Sequence, residues 1–513
     1  MTEAPLVPGV QGQTARKTGE EPLRYALTRA LFLRALGFVY VFAFLSLARQ
    51  LRPLLGENGI LPAAQLLDEV SGWRGRGLSA WMALPTIFWI DASDPFMSAC
   101  AYLGLALSVA VMLGASNAIV MAALWVLYES FVHVGQVFYG FGWEILLLET
   151  GFLAIFLCPL RSLSARGMPP PVPVLVLYRW LVFRVMFGAG LIKMRGDPCW
   201  RDLTCLRYHY ETQPLPSPLS WVLHRAPPWF HAIEVLWNHL VELPVPFLLF
   251  GPRRFRRAAG VLTIGFQLTL IASGNLSWLN YLTIAIAIPC LDDGVLARLL
   301  PRRIASLARP HPAAVASPAR RVVTWMLVVL VAWLSLGPVA NLISRRQVMN
   351  TSFDPLDLVN TYGAFGSIGK VRREIVLEGT DAQAIDGRTV WRAYEFPCKP
   401  GAVDRRPCVV APFQWRLDWE MWFAAMSDVG HHPWLLHLIE KLLEGDPAVH
   451  GLFAVDPFPD HPPRYIRARL YRYRFTRSGE PGWWHRELQG DYLKPVSLDD
   501  EAFRNLLRSY GWY

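Results

Sequence analysis

Long apolar blocks separated by short runs of arginine constrain this chain more than any other feature. Residues 30–48, 95–114, 118–131, 143–160, 174–192, 229–250, 258–273 and 322–343 each form such a block, and 279–290 forms a shorter one. A helix needs roughly 17–25 apolar residues to cross the hydrocarbon core of a bilayer. Apolar residues make up 53% of the chain and are gathered in these runs rather than spread over one face of amphipathic elements. That pattern argues against a string of soluble domains. The expected architecture is an α-helical polytopic membrane domain of about 8–9 spans, followed by a strand-rich α+β soluble domain. Segment 279–290 either crosses or turns back as a re-entrant piece.

The arginines give the orientation. Arg16, Lys17, Arg24 and Arg29 precede the first block, and Arg34 lies inside it. Arg161 and Arg166, then Arg253, Arg254, Arg256 and Arg257, and finally Arg298, Arg302, Arg303, Arg309, Arg320 and Arg321 mark later loops. Cytoplasmic loops are enriched in Lys and Arg, and a cytoplasmic start makes every cluster cytoplasmic. The net charge of +10 is therefore read as topology, not as a nucleic-acid surface. The first block is too long for a cleaved signal and is expected to stay as a span. The expected divisions are a cytoplasmic tail (1–25), the membrane domain (26–343) with an outer motif loop (193–228), and a non-cytoplasmic domain (344–513). In that last part, 371–378, 390–396 and 465–475 read as strands, and 419–426 and 433–444 as helices. The amphipathic stretch 61–70 reads as a helix lying on the bilayer surface.

The motif loop follows the fifth block. It gathers Lys193, Arg195, Asp197, Cys199, Trp200, Asp202, Cys205, His209, Tyr210 and Glu211 into a short segment. Cys199/Cys205 and Cys398/Cys408 are close pairs on the side expected to be oxidising, which predicts a disulfide within each. Neither pair is C-x-x-C. Cys100, Cys158 and Cys290 fall in or at spans and read as inert buried thiols. Ionisable residues in spans are usually paired or functional. Glu149 and Arg184 lie at similar depth in antiparallel neighbours, which predicts an ion pair. His231, Glu234, Asn238 and Glu242 recur at helical spacing and share one face. They read as a polar seam against the motif loop, with Gln267, Asn275 and Asn280 joining it. The stripe is not H-E-x-x-H, and no metal or cofactor is expected. Gly366-Ser-Ile-Gly369-Lys370 lacks the first glycine and the Ser/Thr of a phosphate loop.

The run Gly188–Thr212, with Pro214, Pro216, Pro218, His231, Glu234, Asn238, His239 and Glu242, resembles the lipase maturation factor family. So do Ser273-Gly-Asn275-Leu-Ser277, Asn280 and Asp292-Asp293. In the later part, Asn360-Thr-Tyr362-Gly363, Glu378-Gly379, Arg416-Leu-Asp418-Trp419-Glu-Met-Trp422 and Tyr471-Arg-Tyr473 resemble it as well. The resemblance runs in order over 25–490. It implies a multi-pass membrane protein of the endoplasmic reticulum, with bacterial relatives in the cytoplasmic membrane, and the composition fits a bacterial member. It also implies assistance to the folding of secreted lipases and a link to lumenal redox balance. The membrane part is remotely similar to that of vitamin K-dependent gamma-carboxylase, where a stretch like Ala189-Gly190-Leu-Ile-Lys193 carries a catalytic base.

Three readings stay open. One is a non-catalytic, chaperone-like maturation factor that holds a secreted client, by resemblance a lipase, with the bilayer as its other partner. Another is a membrane enzyme in which Lys193, His209, His231 and Glu234 line a polar cavity acting on a lipid-like or quinone-like substrate. The third is a thiol redox protein using Cys199/Cys205.

Overall fold

The computed structural model describes residues 25–75, 77–163, 168–305 and 317–512. The expected N-terminal tail up to residue 24, with Arg16, Lys17 and Arg24, lies outside the described residues, as do Arg166 and Arg309.

The N-terminal part is helical. Its main helices are α1 (Ala26–Leu55), α2 (Asp94–Leu113), α3 (Ala118–Val134), α4 (Gly142–Ile155), α5 (Val172–Arg195), α6 (Pro228–Glu242), α7 (Arg253–Ser273), α8 (Leu279–Ala287), α9 (Pro318–Leu334) and α10 (Leu336–Ile343). Five stretches are long and apolar enough to span a membrane: Ala26–Leu55, Asp94–Leu113, Val172–Arg195, Pro228–Phe250 and Pro318–Ile343. The expected 8–9 spans are therefore not all met by length. For two of the blocks the shortfall has a local cause. Pro lacks an N–H and disfavours helix in the residue before it. The block at 143–160 stays helical only to Ile155 and reaches Pro159 through turns, and 279–290 becomes a 3-10 turn over Ile288–Cys290 around Pro289. In the span-length stretch Pro228–Phe250, Pro244 and Pro246 turn the last residues into a 3-10 segment, Val245–Phe250.

The helices pack closely. A Cβ on Gly37 of α1 would sit 2.5 Å from the backbone N of Met112 in α2, so only glycine allows that approach. The basic ends gather at one end of the bundle. Thr28 N–H and Oγ1 donate to Asp293 at 2.9 and 3.0 Å. Arg253 and Arg257 both bind Asp292, and Arg320 donates to the Pro169 carbonyl at 3.3 Å. The stretch expected on the bilayer surface is the helix Ala63–Arg74, with Trp73 fully outward.

The C-terminal domain contains a short ribbon, β1 (Thr351–Ser352) with β2 (Asn360–Thr361). Its main sheet is antiparallel, in the order β4-β3-β5-β6: β3 (Arg372–Thr380), β4 (Arg392–Ala393), β5 (Tyr465–Phe475) and β6 (Trp484–Val496). Helices α11 (Arg416–Ala424) and α12 (Trp434–Glu444) complete it. The strand expected over 390–396 is reduced to Arg392–Ala393, because the chain leaves β3 after Tyr394 and Glu395 pairs with Val455 instead. The helix expected over 419–426 begins earlier, at Arg416. Strand β6 was not foreseen. It is an edge strand with exposed charges, Gly490 and Pro495, the composition that protects sheet edges and hides them from pattern reading.

Candidate functional site

The last turns of α5 lead into the motif loop. Gly190 lets α5 approach α6: a Cβ there would meet Leu243 at 2.8 Å and Glu242 at 3.0 Å. About one turn further on, the Lys193 ammonium donates to both Glu242 oxygens at 2.6 and 2.7 Å and to Asn238 Oδ1 at 2.9 Å. Asn238 in turn donates to Glu242 at 2.9 Å. Lys193 Nζ also lies 5.0 Å from the centre of the Trp200 ring. Lys193 is buried, so this is a fully occupied cation, with three acceptors for three protons.

Beyond Gly196 the chain turns under the C-terminal domain. The Asp197 carboxylate caps the short helix Pro198–Arg201 by accepting from Cys199 N–H at 2.9 Å. Cys199 and Cys205 are disulfide-bonded and buried. Tyr210 donates to Glu234 at 2.6 Å, and the other Glu234 oxygen lies 3.1 Å from His231 Nδ1. His239 Nε2 faces the Trp200 carbonyl at 2.9 Å. His209 packs edge-on against Phe365. Burial, with the Lys193 ammonium adding, pushes its imidazole down to about 4, so it is neutral at physiological pH. Asp202 is exposed and makes no side-chain bond among the described residues.

The loop is gripped by the C-terminal domain along its length. Asp197 N–H donates to Gly366 O at 2.9 Å, and the Trp200 indole donates to Phe365 O at 2.8 Å. Phe475 N–H donates to the Glu211 carboxylate at 2.8 Å, and Trp422 donates to Thr212 O at 3.0 Å. Arg372 donates to the carbonyls of Glu211, Gln213 and Pro214, and is held by Glu374, which also binds Lys399. Arg195 bridges to Leu342 O and Gln347, both at 2.8 Å.

Buried charges join the two domains elsewhere. Arg184 and Glu149 form a bidentate pair; Arg184 also donates to Asn360 O at 2.6 Å, while Asn360 N–H and the Tyr362 hydroxyl donate to Glu149 at 3.1 and 2.7 Å. Arg416 enters the membrane domain, donating to Glu144 at 2.8 Å and to Phe138 O at 2.6 Å under the Tyr139 ring. Trp419 packs on Trp143, with ring centres 4.9 Å apart. Asp418 accepts from Cys398 and Lys399 N–H, both at 2.7 Å; burial nevertheless lifts its carboxyl to about 6.

The expected seam divides. His231 and Glu234 face Tyr210, and Asn238 and Glu242 face Lys193. Asn280 instead donates to Gln267 at 2.7 Å. Asn275 holds the loop closed by the Cys398–Cys408 disulfide, donating to Leu215 and Cys408 carbonyls and accepting from Val410 and Ala411 N–H. No hydrogen bond among the described residues links Asn275 or Asn280 to the α6 face. A small concavity lies beside Pro216, Lys399, Arg405 and Trp484, and Lys193 is not among the residues that line it.

Two family models match this arrangement in order. The lipase maturation factor transmembrane domain matches residues 27–298, and the lipase maturation factor C-terminal domain matches 358–494. The chain belongs to the lipase maturation factor family. Lipase maturation factor 1 of Mus musculus is 47% identical over 96% of this chain and 92% of its own length. The Homo sapiens protein of that name is 47% identical over 99% and 94%. Lipase maturation factor 2 of Gallus gallus is 32% identical over 96% and 84%. No solved structure matches. Within the family's transmembrane match lie the motif loop and the Lys193–Glu242 pair, and within its C-terminal match lie the residues that grip them. Arg372, Gln213 and Gln414 are structurally central and escaped the sequence reading. Gln414 takes Ser46 and Gln50 donors on its carbonyl at 2.6 and 2.8 Å, yet nothing in its local sequence marks it.

Proposed function

We propose that this chain is a membrane-embedded maturation factor for lipases, with the motif loop and the C-terminal domain acting as one body that holds the client. The observation that carries this reading is the engagement of Lys193. Its protons are committed to Glu242 and Asn238 in a buried setting, and the nearby His231 and Glu234 are committed to each other and to Tyr210. A general base needs access to a substrate proton, and these groups support a packing role instead. The relatives' names, lipase maturation factor 1 and 2, support a lipase as the client. The buried Cys199–Cys205 bond is shielded from an attacking thiolate, which disfavours the redox reading.

The topology we propose has a cytoplasmic N-terminal tail, nine crossings and a non-cytoplasmic C-terminal domain from residue 344 onward. In it the shorter apolar helices Ala118–Val134 and Leu279–Cys290 cross with α4 and α7. The gathering of basic residues at one end of the bundle supports it. Two disulfides support an oxidising compartment for the far side, the endoplasmic reticulum lumen or the outer face of a bacterial cytoplasmic membrane. The test is crosslinking in the native membrane. Recovery of lipase precursors on the motif loop or C-terminal domain is expected. Their absence, with a small lipid bound near Lys193, would overturn the reading in favour of an enzyme.

A further inference from the structure

A second polar cluster joins the two domains away from the motif loop. Glu129 and His133 lie one turn apart near the C-terminal end of α3 and so share a face. Asp357 comes from the loop between β1 and β2. Together they offer one imidazole nitrogen and two carboxylates, with ligating atoms within 4.8 Å of one another. Glu129 is 3% exposed. One of its oxygens meets His133 Nε2 at 2.9 Å; the other is buried and has no hydrogen-bond partner. An orphaned buried carboxylate oxygen is costly, and a cation is the natural group to satisfy it. We propose that Glu129, His133 and Asp357 hold a divalent first-row transition cation of the zinc class, which fastens α3 to the β1–β2 loop.

The donor set selects the class. Calcium and magnesium prefer all-oxygen cages, whereas imidazole suits zinc and its neighbours. Three protein ligands leave a fourth tetrahedral position for water. Ligands about 2 Å from such an ion lie about 3.3 Å from each other, so the His133–Glu129 contact of 2.9 Å would open slightly while the wider separations within the 4.8 Å group would close. The loop is already set for this. The Asp354 carboxylate accepts from the N–H groups of Leu356, Leu358 and Val359, and the Asn360 amide donates to Asp357 O at 2.8 Å. Asn360 is in turn fixed on Glu149 of α4. The His133 side chain is 17% exposed, which leaves the ion a way in.

The experiment uses the full-length chain in detergent, stripped with a chelator and then given zinc. Wild type should retain about one zinc per chain by elemental analysis, with its unfolding midpoint raised by several degrees. His133→Ala and Asp357→Asn should each lose both effects; the asparagine keeps the loop's backbone bonds. Equal zinc retention in folded variants would place the metal on other histidines and overturn the proposal. A midpoint raised by calcium and not by zinc would overturn the cation class. Wild-type protein that takes up no zinc overturns it without any variant.

Discussion

Arg184 of α5 and Glu149 of α4 face each other as a buried pair whose spare valences are filled by the C-terminal domain, at Asn360 and Tyr362. Two helices of the membrane part and a strand of the C-terminal part therefore share one electrostatic knot.

Breaking one side of this knot should cost more than removing its charge altogether. Arg184→Met leaves Glu149 uncompensated and should destabilise by about 3–5 kcal/mol. The double change Arg184→Met with Glu149→Gln keeps an acceptor for Asn360 N–H and should be clearly milder. Thermal unfolding in detergent reads both; additive losses would count against the pairing argument.

Lys193 gives the sharpest separation between scaffold and enzyme. Lys193→Met should lower the folded yield, and Glu242→Gln added to it should recover part of that yield, because the two charges leave together. Secreted lipase activity per folded molecule should stay within about twofold, since no transition-state contact is lost. Normal yield with abolished activity would sink the scaffold view.

The disulfides should act as staples. Cys398→Ser with Cys408→Ser opens the loop that Asn275 clamps, and a loss of about 2–4 kcal/mol is expected. Cys205→Ser should trap no client as a mixed disulfide on non-reducing gels, since Cys199 is buried in a cluster with Trp200 and Ile368.

Asp418 predicts the sign of one pH effect. Its carboxyl is lifted to about 6 by burial, against about 3.9 when unfolded. Between these values the folded chain binds more protons, so the Asp418 contribution to stability should fall as pH rises from about 4 to about 6 and then level off, a change of about 3 kcal/mol. Glu420, pushed up to about 8 by burial, extends the decline to higher pH. Denaturant titrations across this range should show a smaller slope in Asp418→Asn; an unchanged slope would assign the effect elsewhere.

Much of the site was readable where the signal is local. The common face of His231, Glu234, Asn238 and Glu242 follows from helical spacing, and the depth match of Glu149 and Arg184 follows from counting along antiparallel helices. What each residue faces is a long-range matter. Asn275 and Asn280 were assigned to the α6 seam because they too are polar in apolar surroundings, yet loop geometry sends one to the Cys408 loop and the other to Gln267. Arg416 looks like an ordinary helix start, and only the folded chain brings it onto Glu144. Glu129 and His133 share a helical face through their spacing of four. Asp357, far along the chain, could not be joined to them by any spacing rule.

The placement of Arg416 has a further consequence. The helix Arg416–Ala424 of the C-terminal part begins with a charge seated among helices of the N-terminal part, so the two are not separate folding units. Unfolding either part would strip Arg416 or Glu144 of its buried partner, so the two should melt together as one cooperative body.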